Sequence, residues 1–230
     1  MKGEINLTNS RLTIVTGHYG SGKTEFCVNL AKKLKETNEK VSIADLDIVN
    51  TYFRTRDKKE FLEGYGVHVC ESSIKSTALD LPAISAEVMG IIQNEKITSV
   101  LDIGGDPVGA RVLARFTPLI QKHQYDLLFV INANRPETQT LEDTLNYLRA
   151  IEITSNLKVT GIVNSTHLLK DTTVEDVIRG HKLSKELSKA TNIPIKYDVA
   201  IESVANRVED EEIKKTIFPI KMYMREDWMS

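Results

Sequence analysis

The chain has 230 residues, 41% hydrophobic and 27% charged, with a formal net charge of -2 and a pI near 6.2. That is enough chain for one large domain with a real core and too little for two. The balanced charge excludes a globally basic field for nucleic acid. No apolar run reaches the length of a membrane span, and the N-terminus MKGEINLTNS has no signal-peptide core. The two cysteines, Cys27 and Cys70, lack C-x-x-C spacing, and the five histidines are scattered. Reduced thiols, a cytoplasmic location and no transition-metal site are therefore expected.

Strand and helix signals alternate along the chain. Leu12 to Thr16 is a short β-branched run that reads as a buried strand. It leads into GHYGSGKT, Gly17 to Thr24, which fills every fixed position of the phosphate-cradling pattern G-x-x-x-x-G-K-[ST]. Glu25 to Leu34 follows with apolar residues at helical spacing. Val41 to Asp47 reads as a second strand. The stretch from Asn50 to Lys75 is the least regular, an insert or switch, although Cys70 reads as a strand end. Leu79 to Gln93 reads as a helix, Ser99 to Ile103 and Asp126 to Ile131 as strands. Thr138 to Ile151 is helical, Val159 to Val163 a strand, and Val174 to Ala190 a helix. A last strand is expected near Ile193 to Val199, before Glu202 to Ile217. This alternation predicts an α/β fold: a doubly wound, mostly parallel sheet with helices on both faces, over residues 1–230 as a single domain. Ligands then bind beyond the carboxyl ends of the strands.

The polar motifs fall at those ends. In the loop, glycines let backbone N–H groups converge on phosphate oxygens, and the helix start adds partial positive charge. Gly17, His18, Tyr19, Gly20, Ser21, Gly22, Lys23, Thr24 and Glu25 are the expected nucleotide contacts. Lys23 is the catalytic cation on the β- and γ-phosphates, and Thr24 is a Mg²⁺ ligand. The second strand ends in Asp45-Leu46-Asp47, whose alternation puts both carboxylates on one side. One of them either orders the attacking water or joins the Mg²⁺ shell, with Asp47 nearer the strand end; Asp45 alternatively bonds locally. Asp102 closes the apolar strand before Gly104-Gly105 and is expected on Mg²⁺ through water. Gly105 is expected to bring a backbone N–H to the γ-phosphate, so this loop would move when that phosphate leaves. Asn132 to Pro136 lies on the same edge, either lining a ligand or simply turning the chain. Cys27 and Cys70 read as core or boundary residues, and the apolar tail from Ile217 to Met224 as packing on the chain's own core or a second subunit.

GHYGSGKT, ADLD at Ala44 to Asp47, LDIGG at Leu101 to Gly105 and GIVNST at Gly161 to Thr166 together resemble the CobQ/CobB/MinD/ParA nucleotide-binding group of P-loop proteins. The resemblance runs from about Leu12 to Ile201. It implies ATP or ADP with Mg²⁺ as ligands, Asp47 as the water-positioning acid, and Asn164 as the residue that hydrogen-bonds adenine. ParA- and MinD-like members carry a signature lysine early in the loop that reaches a dimer partner's nucleotide. His18 stands at that position here, so either a protonated His18 or an arginine (Arg54, Arg56, Arg111 or Arg115) is the candidate substitute. The resemblance implies an ATPase acting as a nucleotide-driven switch on a protein partner, with a homodimer possible. The missing lysine leaves open a small-molecule kinase or ATP-dependent ligase related to dethiobiotin synthetase, which needs an acceptor but no partner subunit. A non-catalytic nucleotide scaffold is the third reading; the intact Lys23, Thr24, Asp47 and Asp102 argue against it.

Overall fold

The computed structural model describes residues 7, 10–46, 55–70, 86–105 and 107–224. Eight strands run along it: β1 (Leu12–Gly17), β2 (Val41–Asp45), β3 (Val67–Cys70), β4 (Thr98–Asp102), β5 (Tyr125–Ile131), β6 (Gly161–Asn164), β7 (Ile195–Ile201) and β8 (Ile217–Ile220). They form one sheet in the order β3-β2-β4-β1-β5-β6-β7-β8, and every pairing is parallel. The sheet grows to one side of β1 with β2 to β4 and to the other with β5 to β8. The carboxyl end of β1 is therefore the point where the winding reverses, the place an open parallel sheet offers to a ligand.

Among the described residues, eight helices cover the faces: α1 (Lys23–Lys35), α2 (Lys59–Gly64), α3 (Ala86–Gln93), α4 (Pro107–Ile120), α5 (Leu141–Ser155), α6 (Val174–Thr191), α7 (Glu202–Ala205) and α8 (Glu211–Thr216). Helices α3 to α6 bury one face with Val88, Leu113, Phe116, Leu148 and Leu187. Helices α1 and α2 cover the other through Phe26, Leu30 and Leu62, joined by Phe218 and Met224 of the tail. Burial on both faces explains why β1, β2 and β5 read as continuous apolar runs. Phe26, Tyr197 and Phe218 meet at centroid separations of 5.3–5.6 Å, so an aromatic cluster locks α1 to β7 and β8.

The structure corrects several expectations. Helix α4 has no counterpart in the periodicity reading, because Pro107, Gly109 and Pro118 interrupt its pattern. The irregular stretch contains a 3-10 turn at Thr55–Lys58, α2 and the edge strand β3. Within the expected helix from Leu79, residues 79–85 lie outside the described residues. The strand near Val199 is not the last. Pro219 argues against a strand in a sequence, but β8 is an edge strand, where a missing N–H costs nothing. Glu202 to Ile217 divides into two short helices.

Candidate functional site

The loop after β1 is built as a phosphate cradle. Gly22 caps α1 at φ 84°, a left-handed conformation that suits glycine, and no side chain caps this end. The first N–H groups of α1 therefore lack the side-chain oxygen that usually closes a helix start. The Lys23 ammonium curls inward and donates to the His18 carbonyl at 3.1 Å. Lys23 and Ser21 are both buried, and the Ser21 hydroxyl has no hydrogen-bond partner among the described residues. A buried lysine donating to its own loop, beside an unused buried hydroxyl, fits a site for a bound anion.

Two acids stand beside it. Asp45 and Asp102 are register partners across β2 and β4, and both are buried. The Cys27 thiol sits against Asp102. Its pKa is pushed well up, first by burial and then by the Asp102 charge, with Lys23 opposing. Cys27 and Asp45 thus flank Asp102, and the Lys23 charge acts on the same thiol. The carboxylate oxygens of Asp45 and Asp102, together with the Thr24 hydroxyl, match the donor preference of Mg²⁺. Asp47 lies outside the described residues, as does Arg54.

Gly105 is where a second strand-end loop meets the cradle. A Cβ built on it would lie 1.8 Å from the Gly17 carbonyl oxygen, so only glycine permits this approach. Tyr147 of α5 donates its hydroxyl to the Gly105 carbonyl and holds the loop there.

His18 faces its own chain. Its Nδ1 lies 2.8 Å from the Tyr19 carbonyl oxygen and 3.3 Å from a Glu137 carboxylate oxygen, and its ring packs edge-on against Tyr147. Tyr19 is exposed. The arginine over the cradle is Arg135, whose Nε donates to the Gly20 carbonyl at 3.2 Å. The sequence flagged its motif as ligand-edge but did not single it out among the arginines.

A cavity of about 190 Å³ opens beside the cradle. One wall is Gly20, Gly22, Lys23, Thr24 and Arg135; beyond it lie Ser165, His167, Leu169 and Thr172 from the loop after β6. The far wall is Val199 to Ile201 with Ile220, Met222 and Met224. Polar cradle and apolar slot together match a triphosphate joined to a flat base. Sequence reading missed this far wall; its one visible signal was the apolar tail.

Glu25 lines the cavity with its carboxylate already engaged, and Asn164 is engaged away from the cavity. The Glu25 carboxylate accepts from the backbone N–H of Tyr223 at 2.7 Å and of Met224 at 3.1 Å, tying the tail to α1. Asn164 is fully buried and lies off the cavity wall. Its amide donates to the Asp198 carboxylate at 2.7 Å and to the Val177 carbonyl at 3.0 Å, and its oxygen accepts from the Thr166 N–H. Asp198 is the hub of this network, accepting also from His181 Nδ1 at 2.9 Å and Thr216 Oγ1 at 2.6 Å. Of the other cysteine, burial and then the Glu87 carboxylate push Cys70 up to about 12.

A parallel sheet wound from β1, with a Gly-Lys-Thr cradle at its reversal point, defines a P-loop nucleotide-binding protein. The family model of the CobQ/CobB/MinD/ParA nucleotide binding domain matches residues 12–218, and the chain belongs to that family. A comparison with curated proteins gives no match. Among solved structures, FtsY from Mycoplasma mycoides is similar at 21% identity and TM-score 0.52, covering 84% of this chain and 61% of that one. The cell division protein FtsY from Thermotoga maritima gives 20% identity and TM-score 0.52, covering 86% and 64%. FlhF complexed with GTP and Mg²⁺ gives 14% and 0.52, covering 83% and 65%. At these identities the likeness is one of fold, and the chain spans under two thirds of each structure's length.

Proposed function

We propose that the chain binds Mg-ATP in the cavity beside Lys23, hydrolyses it slowly, and presents the difference between ATP and ADP states to a protein partner. The observation that carries this reading is the contact of Gly105 with Gly17 next to Asp102. A loop pressed on the cradle this closely would sense whether a γ-phosphate is present. Lys23 and the N–H groups of α1 would hold the phosphates, and Arg135 is placed to add charge over them. Thr24 and Asp102, with Asp47 by family resemblance, would hold Mg²⁺, which neutralises charge on the β- and γ-oxygens. Asp47 is assigned the ordering of the attacking water on the same resemblance. Adenine is favoured over guanine because the sequence contains no Asn-Lys-x-Asp motif. The apolar slot of Leu169, Val199 to Ile201 and Met222 would take the base.

The test is phosphate release from Mg-ATP and Mg-GTP by wild type, Lys23→Ala and Asp47→Ala. The reading expects slow ATP turnover, lost in both variants, with nucleotide binding kept only in Asp47→Ala. Preference for GTP, or normal turnover by Asp47→Ala, contradicts it.

One observation favours a second reading, phosphate transfer to a small-molecule acceptor as in a kinase or ATP-dependent ligase. His18, at the position of the lysine that relatives extend to a partner subunit, lies against Glu137 of its own chain. Turnover that stalls without a metabolite and responds to one supports this reading over the switch.

A further inference from the structure

We propose that His68, Cys70 and Glu87 form a binding site for a divalent transition-metal ion of the zinc class, at the sheet edge and distinct from the Mg²⁺ position in the nucleotide cradle. Glu87 lies far along the chain from His68 and Cys70, which is why spacing alone gave no sign of the cluster. The fold brings them together in two steps. His68 and Cys70 alternate onto the same face of β3, two residues apart. Glu87 lies in the first turn of α3, whose Val88 packs in the same core layer as Cys70.

One ligand atom from each residue then falls within 4.8 Å of the other two. His68 Nε2 is already 2.7 Å from a Glu87 carboxylate oxygen. The cluster has a shape that suits an ion entering from solvent. The His68 and Glu87 side chains are 55% and 42% exposed at the mouth, and Cys70 lies buried at the floor. A soft thiolate and a borderline imidazole, joined by one hard carboxylate, select Zn²⁺ and its neighbours over Mg²⁺. Three protein donors leave a further coordination position for water or a ligand. On binding, the metal–sulfur bond forms as the Cys70 thiol proton leaves to solvent. Without a metal, the same three groups are only a hydrogen-bonded cluster at a strand edge, and the experiment separates the two.

Reduced, untagged protein is titrated with Co²⁺ and followed by its thiolate-to-cobalt charge-transfer absorption. Cobalt held by the oxygen donors of the nucleotide cradle gives no such band. The proposal expects one thiolate-bound Co²⁺ per chain, displaced by one equivalent of Zn²⁺ and unaffected by excess Mg²⁺. Cys70→Ser should abolish the band and Cys27→Ser should keep it. His68→Ala and Glu87→Gln change exposed side chains and keep the fold, and each should weaken binding at least about tenfold. They carry the test if Cys70→Ser fails to fold. No stoichiometric band, a band that follows Cys27, or unchanged affinity in both His68→Ala and Glu87→Gln overturns the proposal.

Discussion

Lys23 concentrates the chemistry of the cradle in one buried ammonium. On the proposed function, its loss would leave the N–H groups of α1 but remove the strongest charge-assisted contact to the phosphates. Such a contact is worth about 3 kcal/mol, so Lys23→Ala should weaken nucleotide binding by roughly 100-fold, measured with a fluorescent ATP analogue. Asn164 shows the opposite case, a motif residue whose side chain is used by the fold. Asn164→Ala removes a donor from the buried Asp198 carboxylate and should cost about 2 kcal/mol. A melting scan should fall by about 4–8 °C, with little change in preference between ATP and GTP. Lost base discrimination at unchanged stability would restore Asn164 to the base site. His181 supplies a pH dependence. Its hydrogen bond to Asp198 raises its pKa above the usual 6.5, against burial, with Asp198 and Asp210 charges adding and Lys185 opposing. A raised folded pKa means the stabilisation is complete below about 6.5 and is lost as pH rises through the folded value. Wild type should therefore lose melting temperature over that rise, and His181→Gln should flatten the loss.

At the scale of elements, the tail is part of the pocket because Glu25 of α1 holds it. The N–H groups of Tyr223 and Met224 both end on that carboxylate, and Met222 and Met224 line the cavity. Glu25→Ala should speed hydrogen exchange at Tyr223 and Met224 and weaken nucleotide binding several-fold, about 1 kcal/mol. Unchanged exchange would mean that Phe218 and Ile220 anchor the tail without it. The elements most legible in the sequence were those set by local pattern: β1, β2 and β5 as apolar runs, α1 behind its Gly-Lys-Thr turn, and α6 over nearly its full length. Those that were not carry conflicting local signals that tertiary packing overrides. Pro118 sits inside α4, Pro219 inside β8, and β3 has only four residues. The site divides in the same way. The loop from Gly17 to Thr24 is continuous in sequence, so it is legible as one motif. The apolar wall joins the loop after β6, the end of β7 and the tail. Only the winding of the sheet puts these side by side.

For the whole molecule, the parallel sheet places every strand-end loop on one edge, and β1 at its reversal point brings the cradle between the β4 loop and the β6–β8 wall. On the proposed function, a local event at the γ-phosphate would reach α4, which starts at Pro107, two residues after Gly105. The central claim is that the loop at Gly105 reads the γ-phosphate. It is tested most directly by hydrogen exchange of wild-type protein with Mg²⁺ and a non-hydrolysable ATP analogue against Mg-ADP. The account predicts added protection at residues 103–105 and at the start of α4 with the analogue alone, while the cradle at Gly17 to Thr24 is protected in both states. Equal protection of residues 103–105 in the two states would contradict it.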